Sequence, residues 1–155
     1  MVTLATPLVA EWEGYSLKPR WDRIGGVMDV CYGDTEAEMR EHTKAECLGL
    51  LRIQLSKRGD AIAKCVPGLV ERPTVWAAGT SLAYNVGVPA FCNSTAARRF
   101  NAGNWIGGCE AFKMWVKAGG KYVQGLANRR YAANDGRIPE YTICMLGLGA
   151  NVSVA

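Results

Sequence analysis

The sequence predicts an α+β fold. Short β-like runs around a glycine pair lie near the N-terminus, helical periodicity fills most of the remaining chain, and the two kinds of segment are segregated rather than alternating. A chain of 155 residues with 49% hydrophobic content can fill one core, so a single domain over residues 1–155 is expected, with room for a long helix to divide it into two lobes.

The first helix is bounded by its punctuation. Thr6 suits the N-cap, Pro7 the first helical position and Gly14 the residue just past the end, with Leu8, Val9 and Trp12 sharing a face. Glu13 then falls in the last turn, where unpaired carbonyls make the potential negative and favour a protonated acid. In the following segment, WDRIGGVMDVCYGDT, Gly25-Gly26 reads as a two-residue hairpin turn between runs that end at Ile24 and begin at Val27. Strand alternation puts Val27, Asp29 and Cys31 on one face and Met28, Val30 and Tyr32 on the other, which makes Asp29 a carboxylate between apolar neighbours.

Helical signals begin at Thr43. Thr43-Lys44-Ala45-Glu46 is a capping box, Cys47, Leu48, Leu51 and Leu55 recur at helical spacing, and Pro67-Gly68 ends the run. Pro73 opens a second long helix whose stripe of Val75, Ala78, Leu82 and Val86 runs to Gly87. Further helices are expected over about 95–101, 109–118 and 122–132, separated by Gly107-Gly108 and Gly119-Gly120, for five to seven in all. Gly136 and Pro139 predict an exposed loop at 134–139, and a loosely ordered tail is expected after Gly149.

Composition narrows the classes of function. The formal charge of +4 favours a polyanionic partner, but the basic residues are scattered and no nucleic-acid-binding motif accompanies them. No apolar run approaches the length of a membrane span, and the N-terminus has no basic region ahead of its short apolar run, so neither a signal peptide nor a membrane anchor is expected. The six cysteines are many for a cytosolic protein and allow up to three disulfides of open connectivity, while several lie in apolar helical patterns, where a buried reduced thiol is also common. With one histidine, His42, and no CxxC pair, no metal or other cofactor is expected.

Two carboxylates flanking a cleft suit glycoside hydrolysis: one donates its proton to the leaving oxygen, while the other handles water or attacks the sugar. Glu13 closes a helix and Asp22 enters a hairpin, so different surroundings can separate their acid and base roles. Glu11 is two residues from Glu13 and points elsewhere on the helix, and Asp34 reads as a loop cap or salt-bridge partner. Trp21, Trp76, Trp105 and Trp115 could stack on sugars, but the helical settings of Trp76 and Trp115 favour core packing.

The segment EGYSLKPRWDRIGGVMDVCYGDT resembles the signature of phage lysozymes of glycoside hydrolase family 24, in Glu13-Gly14, Asp22 and Val30-Cys31-Tyr32-Gly33. The resemblance continues through TKAECLGLL, SLAYNVG, FCNSTAARRFNAGNW, KAGGKYVQGLANRR and, more loosely, EYTIC, covering roughly residues 6–146. It implies a two-lobed lysozyme fold with a glycan cleft between a small sheet lobe and a larger helical lobe. It also implies a muramidase that cuts the β-1,4 bond between N-acetylmuramic acid and N-acetylglucosamine in peptidoglycan. Such an endolysin would be made in the host cytoplasm, act in the periplasm as a monomer, and have no nucleic-acid partner.

By the same resemblance Glu13 is the general acid, Asp22 the second carboxylate, and Arg129 a cation close to Glu13 whose ion pair would oppose the helix-end effect. Without the resemblance, Arg129 and Arg130 read equally well as a helix C-terminal pair meeting the last carbonyls. Three departures stand out: Asp29 occupies the position of a family threonine, Arg20 that of an aromatic residue, and the hairpin is one residue longer. Asp29 could crowd Asp22 with a second charge or act as a nucleophile in a retaining or transglycosylating variant. It also keeps open the alternative of a weakened, lysozyme-fold peptidoglycan binder.

Overall fold

The computed structural model describes residues 1–23, 25–133 and 135–149. Helix α1 covers Val2–Glu13, and strands β1 (Ser16–Asp22) and β2 (Val27–Cys31) form an antiparallel hairpin. Next come the long helix α2 (Lys44–Cys65), a 3-10 turn (Pro67–Glu71) and helix α3 (Pro73–Val86). Short helices α4 (Val88–Cys92), α5 (Thr95–Asn101) and α6 (Trp105–Glu110) lead into a 3-10 turn at Ala111–Met114. A second small hairpin pairs β3 (Lys117–Ala118) with β4 (Lys121–Tyr122), followed by α7 (Gln124–Ala127), a π-helical turn (Asn128–Ala132) and α8 (Glu140–Leu146).

The two halves of α2 serve two cores. Cys47, Leu51 and Leu55 pack with Ala5 and Val9 of α1 and Val30, Cys31 and Tyr32 of the hairpin. Farther along, Ile62 packs with Val75, Ala78 and Leu82 of α3, Phe91, Phe100 and Phe112. At 22 residues α2 is about 33 Å long, enough to reach through both lobes. Its start is the expected capping box: the Glu46 amide donates to Thr43 Oγ1 at 3.2 Å and the Thr43 amide to Glu46 Oε2 at 2.7 Å. The ends of α3 and the extent of α5 also follow the expectations.

Several expectations need correction. Helix α1 begins at Val2 rather than at Pro7, because Thr6 does not cap it but returns its hydroxyl to the Val2 carbonyl at 2.8 Å. Pro7 leaves the Thr3 carbonyl without its helical donor, yet both residues are exposed and solvent can satisfy that group. The hairpin turn spans four residues, since Asp22 pairs with Val27. Asp22 closes the turn by accepting the Gly26 amide on its carbonyl at 2.8 Å and the Gly25 amide on Oδ2 at 3.0 Å. The run expected to end at Ile24 therefore stops at Asp22, and Ile24 lies outside the described residues.

Pairing in β2 is regular from Val27 to Asp29, but exposure does not alternate along it: Val27 and Met28 are exposed, whereas Asp29, Val30, Cys31 and Tyr32 are all buried. Val30 exchanges hydrogen bonds with Asp34 across a tight reversal, and Cys31 adopts φ of 60° as it bonds to Cys47. The helices expected at 109–118 and 122–132 break into short pieces around the second hairpin, whose turn is Gly119-Gly120. Eight α-helical segments result among the described residues, rather than five to seven.

All six cysteines, whose pairing the sequence left open, are bonded: Cys31–Cys47, Cys65–Cys92 and Cys109–Cys144. These bridges tie the hairpin to α2, α2 to α4, and α6 to α8. Asp135 and Gly136 are exposed, in line with a loop there, whereas Arg137 covers the Trp12 ring at 3.9 Å. Asn134 and the tail expected to be loose, 150–155, lie outside the described residues.

Candidate active site

A cleft of about 560 Å3 is lined by Glu13, Asp22 and Asp29 together with Arg20, Trp21, Arg23, Gly33 and Thr35. It joins the C-terminal end of α1 to one face of the hairpin. Glu13 is the last residue of α1, and Gly14, at φ of 63°, turns the chain away into β1. In β1, Arg20 and Asp22 are two residues apart and so share a face. On β2, Asp29 lies directly opposite Arg20. Asp22 and Asp29 are thus diagonal neighbours, for which strand geometry gives a Cα separation of roughly 7–8 Å.

Arg20 resolves the oddity of a carboxylate on that face. Its Nε donates to Asp29 Oδ1 at 2.7 Å, so the buried Asp29 is ion-paired rather than an uncompensated charge beside Asp22. The two departures from the family pattern are therefore one interacting pair.

Arg129 reaches the site from the π-helical turn, and its Nη1 donates to Glu13 Oε1 at 2.5 Å. Arg129 and Arg130 are not a surface helix-end pair, since both are buried and converge on Glu140. Arg129 Nε donates to Glu140 Oε1 at 2.9 Å, Arg130 Nη1 to Glu140 Oε2 at 2.5 Å, and Ser81 Oγ to Glu140 Oε1 at 2.5 Å. Arg130 also donates to Asn85 Oδ1 and the Trp115 carbonyl. Two carboxyl groups, of Glu13 and Glu140, thus face two guanidinium groups, of Arg129 and Arg130.

Burial alone would push the Arg129 guanidinium pKa down, but Glu140 and Glu13 outweigh it and the net shift is upward. For Arg130 burial wins over Glu140, with the charge of Arg129 acting in the same sense as burial, and the shift is downward from its ordinary value. Arginine stays protonated through such shifts.

Nearby, burial and then the charge of Glu13 push the Tyr84 phenol pKa up, and its hydroxyl donates to the Tyr32 carbonyl at 2.8 Å. Asp34 is the expected loop cap, accepting the amides of Glu36 and Ala37 on Oδ1 at 2.8 and 3.0 Å. Among the tryptophans, Trp21 is 59% exposed at the cleft, whereas Trp76, Trp105 and Trp115 pack against the larger core. Glu140 is the site-supporting residue absent from the sequence-based expectations. A glutamate just after a proline and just before an apolar helical run was the available signal.

A small sheet lobe, a helical lobe and a cleft at the hairpin that holds Glu13, Asp22 and Asp29 are the parts of a lysozyme-like glycoside hydrolase. The model of the phage lysozyme family matches residues 10–133. An SAR-endolysin of Bacteriophage PS119 is 37% identical over 127 residues, spanning 79% of this chain and 74% of the relative. An SAR-endolysin of Enterobacteria phage P21 is 39% identical over 122 residues, spanning 76% of this chain and 72% of the relative. The solved endolysin from Escherichia coli O157:H7 phage FAHEc1 superposes with a TM-score of 0.72 at 25% identity, over 91% of this chain and 90% of that one. The chain belongs to the phage lysozyme family and is a glycoside hydrolase of bacterial peptidoglycan. No helix among the described residues is long and apolar enough to cross a membrane.

Proposed function

We propose that this lysozyme cuts the β-1,4 bond between N-acetylmuramic acid and N-acetylglucosamine with Glu13 as general acid and Asp22 as the carboxylate that places and activates the attacking water. The observation that carries this reading is the convergence of Glu13 and Asp22, from a helix end and a hairpin, on one cleft. Arg129 engages Oε1 of Glu13, which leaves Oε2 to meet the leaving oxygen. Asp29 is assigned the anchoring of Arg20 rather than attack on the sugar, because its Oδ1 is already committed to the guanidinium.

The chain acts as a single two-lobed domain and as a monomer, without a nucleic-acid partner. It is made in the host cytoplasm and works in the periplasm; three disulfides favour an oxidising compartment as its working site. One feature favours a second reading, that of a weakened wall binder: Asp29 stands where the family pattern places a threonine.

Digestion of purified peptidoglycan, with identification of the sugar at each new reducing end, tests both. The wild type should release N-acetylmuramic acid ends. Glu13→Gln, which keeps the side-chain shape but cannot donate the proton, should lose at least about 10²-fold in rate. Wall binding without new reducing ends would favour the second reading, and an active, folded Glu13→Gln would remove Glu13 from its role.

A further inference from the structure

We propose that Arg20, anchored by Asp29, is a carboxylate-binding residue of the cleft that recognises the acidic groups carried by muramic acid and its stem peptide. The inference rests on the cleft being the glycan site, and it adds a contact that discriminates acidic from uncharged strands. Its starting point is how the guanidinium is used. Asp29 takes Nε through Oδ1 at 2.7 Å, and no other side-chain hydrogen bond of Arg20 occurs among the described residues. The four N–H donors on Nη1 and Nη2 remain for a ligand, and a guanidinium fork matches a carboxylate in two parallel bonds.

Exposure divides the pair accordingly. The Arg20 side chain is 53% exposed, while the Asp29 carboxylate is 9% exposed. The acid is buried as an anchor and the base is presented to solvent within the same cleft as Glu13 and Asp22. Strand pairing fixes the geometry, since Arg20 and Asp29 are direct cross-strand partners and neither needs a loop rearrangement to meet the other. Because Asp29 already balances the charge of Arg20, the pair adds no net charge to the cleft, and its contribution is directional: the remaining N–H groups of the fork select a carboxylate by geometry. Asp29 is a positioning residue in this scheme: it orients the guanidinium without itself touching substrate.

The test measures binding on a Glu13→Gln background, so that it does not depend on turnover. Three soluble glycans serve as probes: muropeptide-bearing strands, strands stripped of peptide by an amidase so that the lactyl carboxylate is free, and stripped strands whose carboxylates have been converted to methylamides. Adding Arg20→Gln should raise Kd about tenfold for one or both acidic probes and leave the methylamide probe unchanged, an effect at the low end for a charge-assisted hydrogen bond because the site is half exposed. Loss confined to the first probe identifies the peptide carboxylates as the ligand, loss confined to the second identifies the lactyl group, and loss on both means that either is accepted.

Adding Asp29→Asn instead should weaken the same acidic probes several-fold, again sparing the methylamide, with the unfolding midpoint recorded for each variant. Equal loss on all three probes, or no loss on any, overturns the proposal and leaves Arg20 as a neutraliser of Asp29. Failure of the wild type to cleave peptidoglycan would count against the muramidase reading instead, and the binding comparison would still decide the role of Arg20.

Discussion

Replacing Glu140 by glutamine removes the hub of the buried charge network while keeping nearly the same volume. Glu140 is fully buried, and its partners Arg129 and Arg130 are 4% and 0% exposed, so solvent screening gives almost no relief. Both carboxylate oxygens accept from guanidinium groups, at 2.9 and 2.5 Å, and one of them also accepts from Ser81. Glutamine can offer an oxygen to only one arginine and must turn its amide donors toward the other. The interior also gains one unit of uncompensated positive charge. Breaking a buried pair by removing one partner costs about 3–5 kcal/mol. At roughly 2–4 °C per kcal/mol for a chain of this size, the midpoint of thermal unfolding should fall by about 6–20 °C. Urea unfolding at pH 7 with the disulfides intact measures the loss directly. A decrease below about 1 kcal/mol, in the range of a surface pair, would refute the view that the network is a closed, desolvated unit.

Two further substitutions probe the hairpin and the start of α2. In Gly25→Ala the new Cβ would lie 2.6 Å from Asp22 Oδ2, so the carboxylate must leave the Gly25 amide that it now accepts. Stability should change by less than about 1 kcal/mol, since the turn is exposed, while kcat for peptidoglycan cleavage should fall by about tenfold or more, because an ångström of misplacement is enough to impair a positioned group. Wild-type kcat in this variant would mean that the position of Asp22 does not matter. For Glu46, the Arg40 guanidinium and then the Thr43 amide hold the carboxyl pKa at about 2, below its ordinary 4.5. Stability from this group is therefore fully present above pH 4.5 and is lost as the pH falls toward 2. Unfolding midpoints of Glu46→Gln should vary less than those of the wild type across that window. Equal slopes would show that the interaction does not distinguish the folded chain from the unfolded one.

Much of the fold was legible because its signals are local. The box Thr43–Glu46, the breaker Pro67-Gly68 and the opening Pro73 each act within a turn, and the helices they bound match the sequence reading. Errors arose where a residue's partner lies outside its local segment, or where a glycine pair admits two readings. Thr6 has the chemistry of an N-cap but bonds backward to Val2. Gly119-Gly120 can separate two helices or turn a hairpin, and the hairpin forms. The disulfides join residues 16, 27 and 35 positions apart, so no helical or strand period reports them.

The candidate site divides along the same line. Glu13 and Asp22 were visible as a helix-end acid and a hairpin acid, and Arg129 as a family-like cation. What could not be read was how each charge is balanced. Asp29 looked like a charge added beside Asp22 because the register that places Arg20 against it is a property of the folded hairpin, set by a four-residue turn where the sequence suggested two. Glu140 was not singled out because its arginines come from a π-helical turn, a local widening of the helix for which simple periodicity has no signal. Once the pairs are known, the two unfamiliar residues of the hairpin no longer oppose the two acids of the cleft. The charge of Asp29 is taken up by Arg20, that of Glu13 is met by Arg129, and Asp22 is held at the turn by the amide of Gly25.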